Sequence, residues 1–407
     1  MNAYEIKLKR INNINIRMKS GKINRIILRY LELLNIYPFG KVHIYIFERV
    51  IDKLFKRIKT TKKPAIKYSG KIIYSTYITG GVGDAIVIAR LIRDIQLYFN
   101  NEFEFDVYFH SPNMIGHFFE NIKGFREIFS DNIYEHTRYL YAFSLNSNTF
   151  INLNIEVIDS TFKLISFPKI LKLYSNIELF KKRENLKKFI DFHPLLDGAF
   201  SDIHSKFERV RYSFMHEMVG IPYSGHILNI NKNSEVLDKY QLSGVKYITI
   251  HDGWDENFKF ISSRPTKSIP IITWKLIIKE IKKKFPENLI VQIGGPKGEL
   301  IDGVDICLKN KTPFGDAISI LGFSQMHFDS ESGLVHLAAA LGVKSMVFFG
   351  PTNSKWFSYP ENINIQPFEC GNCWWSTDSW MNSCPLGHAE PLCINHDEKN
   401  IIKIFNY

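Results

Sequence analysis

The 407-residue chain has no apolar run near the ~18 residues of a transmembrane helix. Its start also lacks the apolar core and small-residue cleavage site of a secretory signal. These two lacks argue against a helical membrane span and lead us to expect a cytoplasmic protein. No internal repeat or low-complexity tract stands out. Surplus charge is missing from most of the chain as well. The net charge is +11, but residues 1–70 hold 17 Lys and Arg against 4 Asp and Glu, and the remainder holds 35 against 37. By composition the main body is therefore not a nucleic-acid-binding surface. Cysteines are scarce, five in all, and four of them crowd into residues 370–393.

What is present fits a globular protein: 45% hydrophobic and 14% aromatic residues. The length is too great for one ordinary core and suggests two domains of about 150 residues with an appendage. The appendage is the basic segment 1–70. Within it, Ile23, Ile27, Tyr30, Leu31 and Leu34, and then Ile51, Leu54, Phe55 and Ile58, recur at helical spacing. Lys53, Lys56, Arg57 and Lys59 fall toward the wet side. Two readings stay open, a solvated helical extension packed on the body or an interfacial segment. The expectation is contact of residues 1–65 with an anionic membrane surface, where each basic residue adds about 1 kcal/mol.

Beyond residue 70 the pattern changes. Strand-like runs occur at "IIYSTYI", "FEFDVYFH", "KYITIHDG", "NLIVQIGG" and "KSMVFFGPT", with helical stretches at "ITWKLIIKEIKKKF" and "VHLAAALG". Alternation of this kind predicts parallel sheets. The polar stretch "NKNSEVLDKYQLSG" separates two such sets. We therefore expect two doubly wound α/β domains, 71–240 and 241–407, facing across a cleft, with ligands at the carboxyl ends of the strands. Residues 130–210 are the least legible, with strands expected in "LNSNTFINLNIEVIDSTF" and a helix in "NIELFKKRENLKKFI".

The first chemical signal is "YITGGVGDAIVIARLI", residues 77–92: a strand, glycines at 80, 81 and 83, and a helix expected from Ala85. Gly81 and Gly83 give Gly-x-Gly, but Ile86 stands where a dinucleotide fingerprint needs a third small residue. Asp84 would also repel a phosphate. Its plain structural reading is a helix N-cap, at a gain of about 1 kcal/mol.

The second half holds three cleft-side pieces. "HDGWDENFKFISSRPTKSIPIITW" offers hydroxyls at Ser262 and Ser263 and cations at Arg264 and Lys267, a set suited to a diphosphate. "QIGGPKGEL" brings Gly294, which permits close approach of a ligand, and Glu299, which could accept from a ribose or base or simply favour a helix start. In "FDSESGLVHLAAALG" a helix is expected to begin near Ser332 and Gly333, presenting free N–H groups to an anion, with His336 on the same face. Each piece alone is common on surface loops. Three together point to a phosphate-bearing ligand.

With "SSRPTK" and Trp274, "IGGPKGE", and "SESGLVHLAAALG" with "FGPTN" on the page, the chain resembles glycosyltransferase family nine, the ADP-heptose:lipopolysaccharide heptosyltransferases and their relatives. "RVRYSFMHEMVGIP" is similar to the segment joining the family's halves. The resemblance implies GT-B architecture, with two Rossmann-like domains, the donor held by the C-terminal one and the acceptor by the N-terminal one. It implies inverting transfer without a catalytic metal. It places Ser262, Ser263 and Lys267 at the diphosphate, Glu299 at the nucleoside, and Ser332, Gly333 and His336 at the phosphate end, with Arg264, Gly294 and Glu331 in the same donor set. Asp84 takes the position of the family's catalytic base, with Gly81 and Gly83 clearing space for sugar and acceptor. Glu331 is a departure, since the family usually has Asp there.

Cys370, Cys373, Cys384 and Cys393 form C-x2-C-x10-C-x8-C. Without an export signal, such a cluster suggests metal ligands rather than disulfides, with zinc or a single iron suited to four thiolates and reduced buried thiols as the alternative. The segment resembles the finger of bacterial autotransporter heptosyltransferases. That likeness raises a protein acceptor beside a lipopolysaccharide-core glycan. Trp374, Trp375 and Trp380 are expected to pack, and Cys307 reads as buried core. The expected function is transfer of heptose from ADP-heptose to a cell-surface glycan. Transfer of another sugar, and a non-catalytic nucleotide-sugar-binding or interaction protein, are the alternatives.

Overall fold

The computed structural model describes residues 2–19, 71–254 and 264–406. The amphipathic stretches expected between residues 20 and 65, and Ser262 and Ser263, lie outside them.

The apolar runs form two sheets. In the first, β1 (Ile73–Tyr77) pairs in parallel with β2 (Glu104–Phe109), which pairs with β3 (Phe125–Ser130). The chain then crosses back to lay β4 (Phe143–Thr149) on the other side of β1, and β5 (Asn152–Val157) follows. β5 runs antiparallel to β4, unlike the parallel order expected throughout. Only Phe150 and Ile151 separate the two strands, and so short a link permits a hairpin but no crossover.

The second sheet repeats this plan. β6 (Tyr247–His251) adds β7 (Leu289–Ile293) and β8 (Ile306–Cys307) on one side, and β9 (His327–Ser330), β10 (Ser345–Phe348) and β11 (Ile363–Ile365) on the other. All its pairings are parallel. Strand order thus reverses between β1 and β4 in one domain and between β6 and β9 in the other. These switch points leave crevices at the carboxyl ends of the strands, where ligands of such sheets bind.

The main helices include α1 (Ala3–Lys19), α2 (Val82–Tyr98), α3 (Pro168–Arg183), α4 (Asp197–Ser205), α5 (Ile271–Lys284) and α6 (Gly333–Leu341). Ile86, Ile88, Leu91, Ile92 and Ile95 of α2 are buried, each worth about 1.5–3 kcal/mol. Packing therefore holds α2 despite its β-branched residues, which disfavour helix. The largest apolar cluster runs from these residues to Leu337, Ala338 and Ala340 of α6, so one core spans both domains. Arg90 of α2 is fully buried at this junction. It donates from Nε to the His226 carbonyl at 2.7 Å, from Nη1 to the Tyr359 hydroxyl at 2.6 Å and from Nη2 to the His336 carbonyl at 3.3 Å.

Of the basic N-terminal segment, α1 is described, and it packs on α4. Lys7 is buried and donates to Asp202 at 2.8 Å and Asn372 at 3.1 Å, while Arg10 pairs with Asp378. This part is a docked helix. No described helix is long and apolar enough to cross a membrane.

Candidate functional site

The glycine turn after β1 builds one wall of the cleft. α2 begins at Val82, earlier than the expected Ala85, so Asp84 lies in its first turn and is not the N-cap. Gly81 is the N-cap, and Asp84 reaches back to accept its backbone N–H at 3.1 Å. Gly80 has φ +105°, and a Cβ there would lie 2.3 Å from Asp84 Oδ2. Glycine is needed because the carboxylate fills that space.

The second carboxylate oxygen of Asp84 accepts from Arg211 Nη2 at 2.6 Å. Arg211 lies in the segment joining the domains, is 3% exposed, and stands over the Phe150 ring at 5.4 Å. Its Nη1 is buried without a hydrogen-bond partner among the described residues, and the residue lines the cleft. The sequence held no signal for this pair, because 127 positions separate its members.

Gly83 lines the cavity and also makes room for a side chain of the other domain. A Cβ at Gly83 would lie 2.7 Å from His336 Cδ2, so this glycine admits a side chain of the other domain. Gly81, with nothing within 4 Å of its Cβ position, opens on the cleft instead. The amino ends of α2 and α6 therefore converge, both with unsatisfied N–H groups and positive dipole ends.

On the opposite wall, Ser332 caps α6, accepting from Leu334 N at 3.1 Å and donating to Asp329. Lys267 donates to the Glu331 carbonyl at 3.1 Å and lies 3.9 Å from its carboxylate. Burial pushes the Glu331 carboxyl up, against the pull of Lys267, and the charges of Asp329 and Asp84 add to the rise. Burial, with Arg90, Arg211 and Lys267 nearby, lowers His336 to about 3, so its ring is neutral at pH 7. His336 Nδ1 is 2.7 Å from the Tyr359 hydroxyl, which already accepts from Arg90. The hydroxyl's own proton can then go to Nδ1, which assigns the ring proton to Nε2, on the side of Glu331.

These groups line one cavity of about 760 Å³ between the domains. Its walls include Gly81, Asp84 and Arg211 on one side and Lys267, Gly294, Glu331, Ser332, Gly333 and His336 on the other. Arg264 and Glu299 are not on its wall. They pair with each other at 2.9 Å, and Arg264 also binds Asp252 at 2.6 Å. Trp274, fully buried, donates to the same Asp252 at 3.3 Å. Arg264 therefore braces a loop around a buried carboxylate. Histidines at 110 and 251 also line the cavity and carried no signal in the sequence.

The four clustered cysteines are free thiols close enough to affect one another's ionisation. Burial pushes Cys373 up to about 12, helped by Cys384 and Cys370 and opposed by Lys7. Burial also raises Cys393 and Cys370. Among the described residues, no three His, Cys, Asp or Glu side chains form a ready metal-holding group. The thiols are thus gathered without closing into a ligand set. Trp374 packs on Phe150 and Phe357, and Trp380 on Trp375. Cys307 sits half-buried on β8, at the sheet edge, rather than in the core.

No protein-family model matches this chain, and no curated protein does. Solved structures do. The iron-containing dodecameric glycosyltransferase TibC from enterotoxigenic E. coli H10407 matches with TM-score 0.53 at 12% identity, covering 84% of this chain and 79% of that one. TibC in complex with ADP-D-β-D-heptose matches with TM-score 0.51 at 11% identity, covering 86% and 80%. The ADP-heptose LPS heptosyltransferase II of E. coli gives TM-score 0.47 at 12% identity, covering 82% and 99%. With two mostly parallel sheets facing across a cleft, the chain has the GT-B fold of the TibC glycosyltransferase.

Proposed function

We propose that the protein is an inverting glycosyltransferase that moves a sugar from a nucleotide diphosphate donor, ADP-heptose by resemblance, to a hydroxyl of a cell-surface glycan. The observation that carries this reading is a single cavity that joins Asp84 of the first domain to Lys267, His336 and the amino end of α6 in the second. A hydroxyl is a poor nucleophile and needs a base within about 3 Å. Asp84 takes its proton as the oxygen bonds to the anomeric carbon from the face opposite the diphosphate. The bond from that carbon to the diphosphate breaks, and its electrons leave with the nucleoside diphosphate. Lys267, the free N–H groups of α6 and the Nε2–H of His336 stabilise the growing charge, the role that usually supplies the largest catalytic contribution. Arg211 holds Asp84 in place.

The cysteine loop supports the second acceptor reading, a protein. In this proposal Cys370, Cys373, Cys384 and Cys393 hold zinc or iron as thiolates. The ion would stabilise the thiolate forms that burial disfavours at Cys370, Cys373 and Cys393 and would tie the loop together, with no part in transfer. Residues 1–65 are proposed to meet anionic lipid at the cytoplasmic membrane face.

The deciding experiment measures nucleoside diphosphate release from ADP-heptose with candidate acceptors, beside donor binding. Turnover that disappears in Asp84→Asn while ADP still binds supports the enzyme. Binding without turnover for any acceptor favours the non-catalytic alternative.

A further inference from the structure

His251 ends β6 and Asp329 lies on β9, the two strands between which the second sheet reverses its order. Their register pairs Thr249 with His327 and Ile250 with Phe328, so His251 and Asp329 come next across the opening crevice. His251 Nδ1 is 3.0 Å from Asp329 Oδ2. A carboxylate only accepts, so Nδ1 carries a proton and Nε2 is the free end of the ring.

That free end has no partner among the described residues, and His251 lines the donor cavity. Glycines clear its edge. A Cβ at Gly253 would come 2.9 Å from Nε2, and one at Gly294, where φ is +140°, would come 2.8 Å from Cδ2. Any other residue at either place would cover the ring.

Asp329 is 1% exposed, yet no Lys or Arg pairs with it among the described residues. Its Oδ2 is shared by His251, by His327 at 3.4 Å and by the Ser332 hydroxyl.

This inference rests on the nucleotide-sugar reading of the cavity and deepens it. We propose that His251 anchors the donor diphosphate, giving Nε2–H to a phosphate oxygen while Asp329 positions the ring through Nδ1–H. The groups around the ring are Asp329 with His327 behind it, Asp252, which Arg264 holds, and Lys267. Burial works to discharge His251, but Asp329 outweighs it and keeps the ring protonated above the ordinary histidine range. The dyad therefore adds a switchable positive charge beside Lys267.

The test is ADP affinity by calorimetry from about pH 6 to pH 9 for the full-length protein, His251→Gln and Asp329→Asn. The ratio of native to variant affinity cancels the titration of ADP itself. For His251→Gln we expect about tenfold weaker binding at the acid end, converging on native affinity at the alkaline end. Asp329→Asn keeps the side-chain shape and should move that convergence to lower pH, which a purely structural change would not do. Should Gln at 251 prevent folding, Asp329→Asn carries the test alone. A folded His251→Gln protein with native affinity throughout, or a ratio that ignores pH, overturns the proposal. A native protein that binds no ADP at any pH overturns the nucleotide-sugar reading itself, a result distinct from ADP binding that is indifferent to residue 251.

Discussion

Three glycines within four residues should respond differently to alanine, and the differences follow from what each Cβ would meet. At Gly81 the backbone is extended and the space open, so Gly81→Ala should cost under about 1 kcal/mol, the loss of a fair N-cap. At Gly83 two effects oppose. Alanine inside a helix gains about 1 kcal/mol over glycine, but its Cβ would stand 2.7 Å from the His336 ring. Overpacking of that kind costs about 1–3 kcal/mol, so the net should be destabilising by about 0–2 kcal/mol. The readout beyond stability is ADP binding, since His336 must move. At Gly80 the residue would adopt φ +105° and strike the Asp84 carboxylate at 2.3 Å. Left-handed backbone alone costs about 1–2 kcal/mol, and displacing Asp84 also breaks its bond to Arg211. Urea unfolding of the three variants should rank them Gly81, Gly83, Gly80 from mildest to worst. Equal stability and equal ADP affinity for Gly81→Ala and Gly83→Ala would refute the contact between the amino ends of α2 and α6.

Other expectations follow from the same geometry. Asp84→Asn keeps an acceptor for the Gly81 N–H, so helix α2 should stay intact while kcat falls about 10²–10⁴-fold and the Kd for ADP holds. A fall smaller than threefold would remove Asp84 from proton transfer. Elemental analysis of reduced protein should find about one zinc or iron per chain, lost in Cys373→Ser; metal-free folded protein would sink the thiolate site. Acid should destabilise the fold early. His336, lowered to about 3, and His204 and His396, each lowered to about 4 by burial, are protonated in the unfolded chain below about pH 6.5 but not in the native one. Their contribution is therefore full above that pH and is lost as pH falls. Asp197, raised to about 6 by burial, opposes this by one proton. His226 is lowered as well, whereas Glu331 and Asp106 are raised, so the histidines leave a modest net loss of stability as pH falls toward 5, checked by urea midpoints, and stability that rises there would contradict it. Lys53, Lys56, Arg57 and Lys59 changed together to Glu should weaken binding to anionic vesicles in low salt, and unchanged binding would defeat the lipid proposal.

Much of the plan was legible from local chemistry. Runs such as "IIYSTYI" and "NLIVQIGG" are short, apolar and β-branched, and their alternation with helical stretches leaves parallel sheets as the natural arrangement. Lys267, Gly294, Ser332, Gly333 and His336 could be nominated for the cavity because each follows a strand. A residue at that place faces the crevice whatever its partners are. Arg264 and Glu299 follow strands too, yet they spend their charges on each other and on Asp252. Which cation meets ligand and which meets a neighbouring carboxylate is a matter of a few ångströms that spacing does not encode.

By itself, then, the sequence determined the period of each segment, the placement of glycines and hydroxyls at strand ends, and the clustering of four thiols. These depend on residues within a few positions of one another. Only the tertiary structure decided that Arg211 grips Asp84, that Gly83 makes way for His336, that Arg90 and Tyr359 assign the His336 proton, and that Asp329 backs His251. All of those partnerships but His336–Tyr359, 23 positions apart, join residues at least 78 positions apart. Such pairs form only once the chain has wound its sheets and brought their switch points to one cleft, and the polar groups buried there must find one another because water is excluded.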